Sequence, residues 1–80
     1  FCENDFRHFA TVMAVDLLGP MLGAKYAARY MARHGGGSII TTASIAASCA
    51  GYGLPEYRAA KAGVVALSRS LAIEFAAHDI

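Results

Sequence analysis

The sequence predicts an α/β fold in the order helix, strand, loop, helix, and three observations lead there. The run Ser38-Ile39-Ile40-Thr41-Thr42-Ala43-Ser44 has the β-branched density of a buried strand. On either side of it, apolar residues recur at the three- and four-residue intervals that give a helix one apolar face. Gly35-Gly36-Gly37 ahead of the run, and the small, glycine-containing stretch from Ala46 to Pro55 behind it, are the punctuation expected between such elements.

The first helix is expected from about Asp5 to about Arg33. Phe9, Val12, Met13, Leu17, Met21 and Met31 supply much of its apolar surface, and Ala24, Ala27, Ala28 and Ala32 give it a thin face. His34 suits the negative end of its dipole. Gly35 to Gly37 follows a helix and precedes a strand, the reverse of a phosphate cradle, and is a connection. The strand covers Ser38 to Ala43, with Ser44 at its carboxyl end. Pro55-Glu56 then opens the second helix with a proline and an acid suited to a first turn. That helix runs from about Glu56 to His78, with Val64, Leu67, Leu71 and Phe75 facing inward.

The chemistry sits where these elements meet. Tyr57 and Lys61 are four residues apart, which puts them on one helical face with Cβ atoms roughly 6 Å apart. A free phenol is almost wholly protonated at neutral pH and is a poor base. A neighbouring ammonium favours the phenolate, so the pair reads as a general acid/base. Ser44, thirteen residues before Tyr57, adds a hydroxyl at the carboxyl edge of the strand, the edge where open α/β sheets bind ligands.

These residues resemble the short-chain dehydrogenase/reductase family of the classical type. The resemblance runs through nearly the whole chain: Val12-Met13-Ala14-Val15-Asp16-Leu17-Leu18-Gly19, Gly36-Gly37-Ser38-Ile39-Ile40, Ser44, Tyr57-Arg58-Ala59-Ala60-Lys61-Ala62-Gly63 and Leu67-Ser68-Arg69-Ser70-Leu71-Ala72. It implies a doubly wound, Rossmann-type parallel sheet and an NAD- or NADP-dependent oxidoreductase acting on an alcohol or carbonyl. On that resemblance Tyr57 is the acid/base, and Lys61 assists it and holds the nicotinamide ribose. Ser44 steadies the substrate oxygen, and Thr42 and Ala43 complete a cofactor-binding set with Tyr57 and Lys61. The family's fourth position, usually asparagine, falls on Asp16, whose backbone carbonyl would hold a relay water. Pro20 has no N–H to close the helical bond onto that carbonyl. Gly19 and Gly23 loosen the helix further, and a kink that shapes packing is a compatible reading of Pro20.

Length and composition bound the rest. Eighty residues make one small and marginal domain. With no initiator methionine and no early glycine-rich turn, the chain reads as an interior part, residues 1–80, of a single Rossmann-type domain in a protein of about 250 residues, the size suggested by the resemblance. Lacking the phosphate cradle, the segment is expected to be inactive alone. Seven basic and six acidic side chains, net +1, leave no electrostatic footprint for nucleic acid or an anionic membrane. No apolar run approaches the ~20 residues of a membrane span, which with free Cys2 and Cys49 points to the cytoplasm. His8, His34 and His78 share no metal-ligand spacing. Ile45, Ala46, Ala47, Tyr52 and Leu54 make a mostly apolar pocket wall, favouring a hydrophobic or cyclic alcohol. The resemblance also implies a homodimer or homotetramer through the two long helices. Two other readings stay open: a catalytically silent nucleotide-binding or scaffold member of the same fold, and a structural helix-pairing module.

Overall fold

A rod of helix running from residue 9 to residue 31 lies beside a second helix, and an irregular segment runs back along the latter. The computed structural model describes residues 1–80. The rod comprises α1 (Phe9–Met13), a π-helical turn (Ala14–Leu18) and α2 (Gly19–Met31), head to tail. A 3-10 turn (Ile45–Ala47) precedes α3 (Pro55–Glu74), and a second (Ala76–His78) follows it.

The rod begins later than Asp5 because the polar side chains there hold turns instead. Asn4 Oδ1 accepts the Phe6 N–H at 2.9 Å and Asp5 Oδ1 the Arg7 N–H at 3.1 Å, local bonds that compete with helix. Phe6 is left-handed, with φ +57°. The loosening expected at Pro20 takes the form of the π-helical turn. The Gly19 N–H reaches the Ala14 carbonyl, five residues back, and Pro20 offers no N–H to the carbonyl of Asp16. At the far end, the Met31 carbonyl collects the N–H groups of His34 and Gly36, at 3.0 and 2.9 Å. Gly36, at φ +96°, leaves no room for a Cβ against the backbone oxygen of Asp79. His34 closes the negative end of α2 as expected: its Nδ1 donates to the Tyr30 carbonyl at 2.6 Å and its ring stacks on Tyr30.

The predicted strand over Ser38 to Ala43 is not formed, and residues 36–44 carry no regular structure. The helix-strand-loop-helix order is therefore corrected to two helical rods joined by an irregular segment. A strand exists only as a partner in a hydrogen-bonded ladder, and the sequence supplies no second β-rich run. Its polar groups turn instead to α3 and to the end of the turn that follows it. The Gly37 N–H donates to the Asp79 carbonyl at 3.1 Å, Thr41 Oγ1 meets Ser68 Oγ at 2.5 Å, and Lys61 Nζ donates to the Thr42 carbonyl at 3.0 Å. Ser68 spends its one hydroxyl proton on the Val64 carbonyl, so Thr41 is the donor in their bond. The segment thus runs antiparallel to α3.

α1 and the π-helical turn pack on α3. Gly63 permits this: a Cβ there would lie 3.0 Å from Leu17 Cδ1. Only Ala24, Ala28, Ala60 and Val64 are buried, and Val64 is the largest fully buried side chain. Leu67, Leu71 and Phe75, expected to face inward, are half-buried. The extents of 50 × 22 × 15 Å explain the small core. A helix with its side chains is about 10–12 Å across, so the chain is barely more than one layer thick. Its radius of gyration is 14.8 Å, against about 12 Å for a compact chain of this length.

Candidate active site

α3 starts where its sequence says it should, with Pro55 in the first turn and Glu56 beside it. The start fixes the next two turns. Tyr57 and Lys61 stand one above the other, both half-buried, with Lys61 Nζ 5.9 Å from the centre of the Tyr57 ring. The ammonium donates to the Thr42 carbonyl at 3.0 Å, which joins α3 to the irregular segment just before Ser44. One of its three protons is thereby used and two remain.

Ser44 is extended, φ −157° and ψ 157°, and caps the 3-10 turn by accepting the Ala46 N–H on its Oγ at 3.1 Å. As an acceptor in that bond it keeps its own O–H free to donate. Thr42 and Ala43 connect it to the Lys61 tether. Tyr57, Lys61 and Thr42 are therefore brought together, and Ser44 follows two residues on, its hydroxyl engaged by the turn rather than by Tyr57.

Asp16 lies in the π-helical turn, half-buried. That turn packs on α3, with Leu17 against Gly63, so the widened turn stands two residues beyond Lys61 along the helix. π-helical turns are recurrent at functional positions because they free or redirect backbone groups.

The expected pocket wall is only partly a wall. Ile45, Tyr52 and Leu54 are exposed, while Ala46 and Ala47 are half-buried. A groove of about 400 Å³ lies at the other end of α3, between α2 and the residues from Leu67 to Ile80, away from Tyr57.

Two contacts at this end of α3 have no counterpart in the sequence reading. Asn4 Nδ2 donates to Glu56 Oε1 at 2.9 Å, and this bond, with backbone hydrogen bonding at the helix start, holds the Glu56 carboxyl below its ordinary range. Arg58 donates through Nε to the Gly53 carbonyl at 3.1 Å and through Nη1 to the Cys49 carbonyl at 2.8 Å. The signal available for Arg58 was faint, an arginine one residue after Tyr57 and just behind a loop rich in small residues.

Residues 1–80 match the family described as enoyl-(acyl carrier protein) reductase. The chain is 48% identical over 79 residues to a mitochondrial borneol dehydrogenase of Lavandula x intermedia, covering 98% of this chain and 30% of the relative. It is 42% identical over 76 residues to the sex determination protein tasselseed-2 of Zea mays, covering 95% and 23%. A cis-4-hydroxycyclohexanecarboxylate dehydrogenase of Sinomonas cyclohexanicum is 38% identical over 78 residues, covering 98% and 31%. The chain thus spans between about a quarter and a third of the length of these curated relatives. No solved structure matches it significantly. With the match unbroken from the first residue to the last, the chain belongs to the short-chain dehydrogenase/reductase family.

Proposed function

We propose that this chain carries the proton-transfer part of an NAD- or NADP-dependent oxidoreductase acting on an alcohol or its carbonyl. The observation that carries the reading is the Lys61 ammonium, tethered to the Thr42 carbonyl and poised over the Tyr57 ring. Tyr57, beside that tethered cation, exchanges the substrate hydroxyl proton as general acid/base. Ser44 donates its free O–H to the substrate oxygen and steadies the charge that develops there. The backbone carbonyl of Asp16, which no N–H of Pro20 can reach, takes a relay water.

The donor set also suits the ribose end of a nicotinamide nucleotide. Two unspent Lys61 protons and the Tyr57 hydroxyl match a pair of sugar hydroxyls, with Thr42 and Ala43 lining the same place. When bound, that nucleotide supplies or accepts the hydride. Family membership brings with it a Rossmann-type sheet for the protein as a whole. The substrate is an apolar, cyclic secondary alcohol or its ketone. Support comes from the exposed apolar side chains Ile45, Tyr52 and Leu54 in the segment that leads into α3, and from relatives named for borneol and for a hydroxylated cyclohexane ring. A second copy of the protein packs on the two long helices, where Leu22, Tyr26 and Ile73 are exposed. One residue favours the silent-member reading, the Asp16 carboxylate in place of the family's usual amide.

Turnover by the full-length protein decides between the two. With NAD or NADP and a panel including borneol and cyclohexanol, the enzyme reading expects oxidation of at least one alcohol, and no turnover with any of them rejects it. Lys61→Met should both slow that turnover and weaken nucleotide binding, measured by titration calorimetry. A variant with parental rate and parental affinity would return Lys61 to a solvated surface charge.

A further inference from the structure

Arg58 touches alternate residues of one loop. Its Nε and Nη1 atoms donate to the carbonyls of Gly53 and Cys49. Its Nη2 and Cζ atoms lie so close to Gly51 that a side chain there would collide with them. Its backbone N–H takes a third carbonyl, that of Leu54, at 2.9 Å. Gly53 and Leu54 are left-handed in succession, φ +70° and +54°. For Leu54 that backbone is strained, the more so because a following proline biases its neighbour towards extended conformations. Strained residues persist where their surroundings over-determine them, and here the side chain and backbone of one residue hold both.

The loop so held displays Tyr52 and Leu54, both largely exposed, and leads straight into Pro55 and Tyr57. We propose that Arg58 is a positioning residue: its guanidinium fixes residues 48–54, and thereby the apolar wall that a substrate meets beside Tyr57. The proposal rests on the functional reading given above. The planar fork suits this role, since it binds two carbonyls four residues apart in sequence and lies close against a glycine between them. A lysine offers one point charge and cannot span both. Selectivity among cyclic alcohols is then set partly by a side chain that touches none of them.

The test compares parent, Arg58→Lys and Arg58→Ala in the full-length protein, with steady-state kinetics on borneol and cyclohexanol and with chymotrypsin cleavage after Tyr52. Losing two charge-assisted bonds at an exposed loop should speed the cleavage of Arg58→Ala about tenfold. KM for borneol should rise by about the same factor, more than kcat falls, and nucleotide affinity should stay near parental. Arg58→Lys should fall between the two on both measures, and its charge and stem guard against a simple folding defect. Faster cleavage with unchanged KM would make Arg58 merely structural and overturn the proposal. So would a raised KM with unchanged cleavage, which would mean direct contact with substrate. An active parent with no change in either variant overturns this proposal alone, whereas a parent that oxidises no alcohol overturns the functional reading and this proposal with it.

Discussion

Around the first two turns of α3, polar side chains reach across to backbone: Lys61 to Thr42, Arg58 to Cys49 and Gly53. Asn4 reaches the Glu56 carboxylate there as well. Among and just beyond them, Ala60 and Val64 are fully buried and Gly63 lets Leu17 approach. Around the last turns, Leu71 and Phe75 are half-buried and line the groove toward α2. The difference separates orientation from cohesion. Hydrogen bonds each contribute only about 1 kcal/mol net, but they are directional and fix where a group points. Apolar burial contributes most of the free energy and is indifferent to direction. The end that carries the proposed site is therefore aligned by directional tethers set beside the fully buried Ala60 and Val64.

The largest expected effect that tests this division is on rate. Tyr57→Phe in the full-length protein should lower kcat by about 10²- to 10⁴-fold, while Leu71→Ala at the groove end should leave it within about threefold of parental. Comparable losses from the two would erase the distinction. In stability, Val64→Ala should cost about 2 kcal/mol by urea unfolding, from lost transfer energy and a cavity. Ile73→Ala, 82% exposed, should stay within about 0.5 kcal/mol. An equal cost at Ile73 would show that its face is covered in the whole protein and sharpen the case for a second copy there. Thr41→Val removes the proton given to Ser68 with little change of shape, and should cost about 1 kcal/mol.

The smallest effect is on pH dependence at Glu56. Its carboxyl is held below the ordinary value of 4.5 chiefly by the Asn4 amide. The bond therefore contributes in full above that value and is lost as the pH falls through the lower, folded-state value. Melting temperature should drop on acidification below about 4.5, and Glu56→Gln should flatten that part of the curve. An unchanged curve would remove Asn4–Glu56 from the set of tethers.

What the sequence made legible were features decided within a few residues. Pro55 and Glu56 open α3, Gly35 and Gly36 end the first rod, His34 caps it, and Pro20 loosens the backbone near Asp16. Tyr57 and Lys61 share a helix face because four-residue spacing guarantees it. Features that depend on a distant partner were not legible. Ser38 to Ala43 has the composition of a strand, but composition cannot supply the neighbouring strand that would make it one. Asn4 and Asp5 delay the helix start by side-chain bonds that compete closely with helix formation. Arg58 was overlooked because its acceptors are main-chain carbonyls, which every residue possesses and which leave no mark in a sequence.

The π-helical turn makes the count of residues matter as much as their kind. It absorbs one more residue than an α-helical turn would, and each residue of helix advances the rod by about 100°. A chain one residue shorter within Ala14–Leu18 would still present Ala24 and Ala28 to the same neighbours. It would surrender the widened turn beside Gly63 and leave Pro20 inside an α-helix, where its ring meets the carbonyl four residues back. A chain one residue shorter early in α2 would keep that turn but bring Lys25 and Arg29 into the places of the two buried alanines, forcing charge where no partner waits. Among proteins of this kind, a gap in an alignment thus has opposite meanings on the two sides of Gly19.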